Sequence, residues 1–397
     1  EVQENSLGSP MDPAASGLIG IGGSRSRVLV CPRTLWGVVS RRPTGNRCPA
    51  VATVRVVSEP DGTTDTDPFP ALLRIGSLRH WFDASDLGRG ADLRFERIAM
   101  GESNEVFVAH RGDERWVLRR PAAVPLSVDG ANRIMEREFR FQRALAGTGV
   151  PHAEPVALCT DIDVTGAVFY VMEFVDGLVA GEPVPVELGG PAATRRIAEE
   201  MLDALGALAA VDHEVAGIAD LGRPEGFLER QVDRWRGQLE SYRQRELPGV
   251  DEVTEWLAAN RPSTTVPGVM HGDFNRHNML FAREVPTRLL AVLDWENATV
   301  GDPLMDLGYL LSGWSDDDPD LPKRAEAVAR WSERSGRQPE ALGWYAAMST
   351  FKLACMLEGV YVRQSEDPTR EASEFIAQLV LDLIARARRL ADAGDDW

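Results

Sequence analysis

The sequence predicts an α+β chain in two parts, a small antiparallel sheet with one helix followed by a larger, mainly helical region. Three observations carry this. Short strand-like runs crowd the stretch from Leu93 to about Gly177, one amphipathic helical stripe interrupts them, and the helical period dominates afterwards. With 397 residues, 44% of them hydrophobic, the chain has enough apolar material for two cores.

Residues 1–75 mix Gly, Pro, Ser, Thr and Arg without periodicity and read as a disordered extension, although "RSRVLVCPRTLWGVVSRRP" has the arginine-rich composition of a transit peptide. Residues 76–176 read as the sheet-bearing part and 177–397 as the helical part. The strand-like runs are "LRFERIA", "EVFVAHR" and "RWVLRRP", the last two joined by a hairpin turn at "RGDE" (111–114), then "EPVALCT" and "AVFYVMEFV". Between them, "ANRIMEREFRFQRALAG" sets Ile134, Phe141 and Leu145 on one helical stripe, with Glu138 at the missing step and Gly147 as a stop. A carboxylate in that position must reach solvent at the edge of the stripe or meet a buried cation, because an unpaired buried charge is costly. After Gly177, "RIAEEMLDALGALAAV" aligns Ile197, Met201, Leu205 and Leu208, and "FLERQVDRWRGQLESY" aligns Leu228, Val232, Trp235, Leu239 and Tyr242. Further helices fit 339–364 and 371–391, and "RLLAVLDW" reads as a strand that ends at Asp294. There is no internal repeat.

Charge narrows the function. With 43 basic and 61 acidic residues the formal net charge is −18, and the acidic excess lies mostly beyond Gly177, so a nucleic-acid partner is not expected. Acidity favours a cationic ligand, or simply a soluble surface. The cysteines, Cys31, Cys48, Cys159 and Cys355, form no C-x-x-C pair, which points to a reducing, cytoplasmic setting. No apolar run approaches the roughly 20 residues of a membrane span, and "GLIGIGG" (17–23) is too short and glycine-rich for a secretory core. No feature sets an oligomeric state. Lys323 and Lys352 are the only lysines; arginine supplies every other basic side chain.

The polar stretch "HGDFNRHNML" (271–280) concentrates chemistry. Gly272 permits an unusual backbone angle beside Asp273, and the five-residue step to Asn278 lets a loop present both side chains to one cavity. Asp294 follows at the end of an apolar strand. Two carboxylates and an amide oxygen suit Mg²⁺, a hard cation, with Asp273 free to accept a hydroxyl proton while Asn278 and Asp294 hold the metal. The alternative is a zinc site from His271, Asp273 and His277, which lacks the H-E-x-x-H spacing and a cysteine.

"HGDFNRHN" followed by "LDWENATVGDPLMDLGYLL" resembles the aminoglycoside phosphotransferase family, and the resemblance runs from about Arg94 into the C-terminal helices. It implies a protein-kinase-like, two-lobed fold, with ATP and Mg²⁺ as cofactors and a small-molecule hydroxyl as acceptor. Carried over by motif, Asp273 is the catalytic base, Asn278 and Asp294 bind Mg²⁺, His271 braces the loop, and Asp302 and Asp306 have mainly structural roles. In "MGESNEVF", Gly101, Ser103 and Asn104 would turn backbone amides toward the phosphates. In "VMEFVDG", Glu173 and Val175 would bind adenine through backbone groups. The family's strand lysine, which pairs with a helix carboxylate, aligns with Arg120, and Glu138 stands opposite; a one-residue error would substitute Arg119. "VLRRP", "REFRFQRALAGTGVP", "LGRPEGFLERQVDRW" and "AVLDWENATVGDP" look like the phosphotransferase domains fused to acyl-CoA dehydrogenases, which implies a hydroxyacyl-CoA-like acceptor. The alternatives are an aminoglycoside kinase and a nucleotide-binding pseudokinase.

Overall fold

The computed structural model describes residues 72–100, 104–122, 127–181, 183–366 and 373–396. Most of the expected N-terminal extension therefore lies outside the described residues, as do Gly101 and Ser103. Leu72 and Leu73 are described and buried, so the packed part of the chain includes the last residues of that segment.

Five antiparallel strands build the first part: β1 (Leu93–Met100), β2 (Asn104–Arg111), β3 (Glu114–Pro121), β4 (Pro155–Cys159) and β5 (Phe169–Glu173), in the order β1-β2-β3-β5-β4. The hairpin turn at 111–114 pairs Arg111 with Glu114. Both faces of this sheet are covered. Helix α1 (Ile75–Ala84), which has no strong sequence signal because only Leu78 and Phe82 are buried along it, packs on one face against Phe107, Leu118, Phe169 and Val171. Helix α2 (Val128–Ala144), opened by Ser127 accepting from the Gly130 N–H at 3.1 Å, brings Met135 and Phe139 to Val168 and Tyr170 on the other.

The stripe on α2 differs from expectation. Ile134 is 39% exposed, while Met135, Glu138, Phe139, Phe141 and Gln142 are buried. The helix serves two partners at once: Met135 and Phe139 meet the sheet, whereas Phe141 and, beyond its end, Leu145 enter the core of the helical part. Ile134 faces neither. A short helix α3 (Ile162–Thr165) leads into β5.

The second part carries β6 (Leu178–Val179), β7 (Gly268–Met270), β8 (Met279–Phe281), β9 (Leu289–Val292) and β10 (Thr299–Gly301), arranged as the pair β10-β7 and the three-stranded β6-β8-β9. Around them lie α4 (Thr194–Ala209), α5 (Gln231–Tyr242), α6 (Val250–Ala259), α7 (Leu304–Ser312), α8 (Arg324–Ser335), α9 (Leu342–Glu366) and α10 (Glu374–Ala393). The expected faces of α4 and of the segment ending in α5 are the buried ones, with Tyr242 half-buried. One core joins α4, α8 and Trp295, and a second joins α5, α6, α9 and α10. Strand β9 stops at Val292, two residues short of Asp294, which sits in a left-handed turn. No helix among the described residues is long and apolar enough to cross a membrane.

Arginines on α2 tie the two parts together. Arg137 donates to the carbonyls of Leu221 and Ala298, each at 2.6 Å, and Arg140 grips Asp220 with two bonds of 2.8 and 2.7 Å. Beyond the helix, Val292 N–H donates to Pro151 O at 2.9 Å. Arg137→Ala removes two charge-assisted bonds from a partly buried seam and is expected to lower stability by about 2 kcal/mol. The check is a denaturant midpoint at unchanged m-value; a midpoint equal to the parent's would show that the seam does not depend on it.

Candidate active site

Between β7 and β8 the chain makes the loop His271–Asn278, and its shape is dictated from below. Asp306, buried at the start of α7, accepts the His271 N–H at 2.6 Å and the Gly272 N–H at 2.9 Å, one on each carboxylate oxygen. Burial pushes its carboxyl upward, and His271, Lys352 and the two amides oppose that shift. Gly272 has φ +82°, and a Cβ there would lie 2.6 Å from Asn297 O, so glycine is required both by the angle and by the space.

His271 is fully buried against Trp295. Its Nε2 lies 2.9 Å from Leu293 O, a pure acceptor, and its Nδ1 accepts the Asp273 N–H at 3.2 Å. This pattern assigns the neutral imidazole with the proton on Nε2 and leaves no lone pair for a metal, so the zinc reading does not hold. His277 is exposed.

Asp273 is aimed by its neighbours. Asn275 Nδ2 donates to its Oδ1 at 3.0 Å, Asn278 Nδ2 donates to its Oδ2 at 2.9 Å, and the Tyr309 phenol also bonds to the carboxylate. Burial and this negative neighbour drive the Tyr309 phenol well above its ordinary value, so it stays a protonated donor. Donating through Nδ2 turns the Asn278 Oδ1 away from Asp273, and the Asn278 carbonyl takes the Leu293 N–H at 2.7 Å, next to Asp294. Asp294 has φ +65°, an uncommon angle for a non-glycine residue. On the α7 and α9 side of Asp273 opens a small cleft lined among others by Met305, Tyr309, Ser349, Lys352, Leu353 and Met356.

The cation opposite Glu138 is Arg119, not Arg120. Arg119 Nε lies 2.9 Å from Glu138 Oε2, and its Nη2 lies 3.1 Å from Glu138 Oε1 and 2.5 Å from Asp294 Oδ1. Alternation along β3 holds, with Leu118 and Arg120 on one face, but that face is the one under α1. Arg120 accordingly donates to Leu72 O, and Glu105, its neighbour across the β2–β3 ladder, favours its charge against burial. Because the sheet is covered on both sides, an apolar face does not mark which side the cleft is on.

Around Arg119 the charges are dense. Glu138 is fully buried and also accepts from the Tyr170 phenol at 2.8 Å. Burial holds its carboxyl above the usual carboxylate range, and Arg119 and Tyr170 offset only part of that rise. For Arg119, burial disfavours the charge, but Glu138, Tyr170 and Asp294 outweigh it and the guanidinium is held more firmly charged than usual. Glu296 joins the group: Asn104 Nδ2 donates to its Oε2 at 3.0 Å, and burial together with Asp294 pushes its carboxyl up to about 7. Oxygens of Glu138, Asp294 and Glu296 lie within 4.8 Å of one another.

Of the sequence-derived residues, the structure brings Asp273 and Asn278 into contact, ties the Asn278 backbone to Leu293, the residue before Asp294, and gathers Asp294, Glu138 and Asn104 in a second cluster around Arg119 and Glu296. Glu173 and Val175 lie at the end of β5 and just beyond, where the sheet passes into the helical part. Sequence reasoning missed Glu296, Tyr309 and Lys352. For Lys352 a signal exists, a lone lysine inside the apolar run "STFKLACML" in a chain with one other lysine.

Comparison with known proteins bears on the family and the fold. A model described as the phosphotransferase enzyme family matches residues 94–344. Acyl-CoA dehydrogenase family member 11 of Gallus gallus is 30% identical over 320 residues, which cover 75% of this chain and 40% of that protein. The chain thus spans less than half the length of that relative. Among solved structures, a candidate aminoglycoside phosphotransferase of Ralstonia eutropha is 29% identical with a TM-score of 0.70, over 80% of this chain and 98% of that one. The GDP complex of aminoglycoside 2'-phosphotransferase-IIIa, 16% identical with a TM-score of 0.55 over 79% of this chain and 98% of that one, shares the fold.

Arg119→Met leaves Glu138 buried with only neutral donors. The variant is expected to lose about 3 kcal/mol of stability near pH 8 and less near pH 5, because a carboxyl raised by burial takes up its proton there and relieves the unpaired charge. Denaturant titrations at the two pH values test this. An equal loss at both would mean that Glu138 does not carry the charge that Arg119 answers.

Proposed function

This chain belongs to the phosphotransferase enzyme family, and from that premise we propose that it moves the γ-phosphoryl group of ATP to a hydroxyl of a small molecule, with Mg²⁺ held by Asn278 and Asp294. The observation that carries the reading is the aim of Asp273. Its carboxylate is held by Asn275, Asn278 and Tyr309 at the mouth of a cleft, the position needed to orient an acceptor hydroxyl and take its proton.

The donor set fits a hard divalent cation. Every ligand atom offered is an oxygen, and oxygens of Asp294, Glu138 and Glu296 lie within 4.8 Å of one another. Bound Mg²⁺ would offset charge developing on the transferred group. Arg119 would face the phosphates in the role expected of Arg120, while Glu138 holds its guanidinium in place. Gly101, Ser103 and Asn104 would direct amides at the phosphates. Glu173 would meet adenine through its carbonyl, since its N–H already donates to Glu154 O at 2.8 Å, with Val175 beside it.

For the acceptor, similarity to acyl-CoA dehydrogenase family members supports a hydroxyacyl-CoA-like compound, whereas the solved neighbours support an aminoglycoside. One observation favours a pseudokinase: Arg119 already occupies Asp294, at 2.5 Å, so a metal at that carboxylate must displace or share it. ADP release measured over a panel of hydroxyacyl-CoAs, aminoglycosides, choline and sugars separates the three.

Asp273→Asn is expected to reduce phosphoryl transfer by about 10²–10⁴-fold while leaving MgATP affinity within about twofold, since the carboxylate serves the acceptor proton and not the nucleotide. Turnover at the parent rate would overturn the assignment of the base.

A further inference from the structure

Lys352 is the one cationic side chain among the residues that line the cleft beside Asp273. It projects from the middle of α9 beside Met305, Leu353 and Met356, the apolar part of the lining, and the one hydroxyl that α9 adds there, Ser349, is spent on Met305 O at 2.8 Å. Its Nζ donates to Gly272 O at 2.7 Å and lies 5.6 Å from the centre of the Trp235 ring. An ammonium has three N–H donors. The carbonyl takes one and the indole face accepts charge without a directed bond, which leaves donor capacity toward the cleft. Burial, with Arg234 nearby, holds the ammonium below the usual amine range, and Asp306 and Asp273 offset part of that.

A brace for the Gly272 carbonyl needs only one N–H, and a neutral donor would supply it without desolvating a charge. The placement of an ammonium is better explained by a ligand group that completes its shell. Both carboxylates near it are already engaged, Asp306 by two backbone amides and Asp273 by Asn275, Asn278 and Tyr309. A polyammonium sugar would bring like charge against Lys352 at the point where its hydroxyl meets Asp273.

We propose that Lys352 is a specificity-determining residue that binds a carboxylate or acyl carbonyl oxygen of the acceptor, so that the cleft takes a hydroxylated acyl compound and disfavours polycationic acceptors. This rests on the phosphotransferase reading for its use in catalysis, but binding can be measured without turnover. The apolar wall then receives the alkyl chain, Lys352 the acyl oxygen, and Asp273 the hydroxyl between them.

The test uses the whole chain with hydroxyhexanoate, hexanediol and aminohexanol, three acceptors matched in length that differ in charge at one end, in calorimetric titration and in ADP release. The parent should bind hydroxyhexanoate at least about tenfold more tightly than the diol, and the amino alcohol most weakly, as expected for a charge-assisted bond. Lys352→Met should weaken hydroxyhexanoate by about tenfold or more beyond any loss of the diol that follows from releasing the Gly272 carbonyl, and Lys352→Arg should recover part of that difference. The coenzyme A thioester of the same acid, in the same titration, distinguishes a carbonyl from a carboxylate as the group held.

Equal losses for acid and diol in Lys352→Met would show that the residue only braces the loop, and a parent preference for the amino alcohol would overturn the proposal outright. If Lys352→Met does not fold, the parent alone decides: affinity for hydroxyhexanoate, and not for the diol, should fall with rising salt. Charge-selective binding without ADP release would count against the phosphotransferase reading and leave the role of Lys352 standing.

Discussion

The site depends first on the guanidinium of Arg119. Glu138 is a carboxylate with no exposure to water, and Asp294 is a carboxylate set in a left-handed turn; each is tolerable because the same cation sits between them. One side chain therefore joins strand β3, helix α2 and the loop after β9. A planar guanidinium suits this work better than an ammonium, since its Nη2 donates to both Glu138 and Asp294 while its Nε stays within ion-pair distance of Glu138. It also brings bulk, and the contact with Asp294 places protein charge where the family resemblance implies a metal.

The second constraint is the buried carboxylate of Asp306, which holds the backbone of His271 and Gly272 while Lys352 holds the Gly272 carbonyl from α9. The loop is thus positioned by α7 and α9, and those helices pack tightly enough that Gly308 admits no side chain: a Cβ there would lie 2.6 Å from the backbone of Tyr345. Asp302 contributes in the same region, accepting from Thr265 and the Tyr345 phenol, each at 2.7 Å. The structural roles expected of both aspartates from their motif correspond to these bonds.

Much of this was legible in the sequence, for definite reasons. The two-part α+β organisation, the strands from Leu93 to Glu173 and the helical faces of α4 and α5 follow from periodicity, which reports burial directly. The loop at 271–278 was legible because its residues are close in sequence as well as in space. For Glu138 the sequence leaves two outcomes, an edge open to solvent or a buried cation, and the second is the one found. What was not legible depends on which neighbour covers which face: Arg119 was exchanged with Arg120 because α1 and α2 cover opposite sides of the sheet, and Ile134 was misplaced because α2 turns toward two cores at once. Tyr309 and Lys352 come to Asp273 from helices whose periodicity marks them only as interior positions. Helix α1 buries too few residues to be read at all.

The arginine seam along α2 has a consequence for motion. Because Arg137 and Arg140 fasten α2 to the helical part, and the Pro151 carbonyl is bonded into β9, the two lobes are not free to swing as independent bodies about a hinge. The spacing of the two lobes is thus constrained by bonds present before any ligand arrives. A ligand that enters between them meets a partly preset width, which lowers the ordering entropy lost on binding.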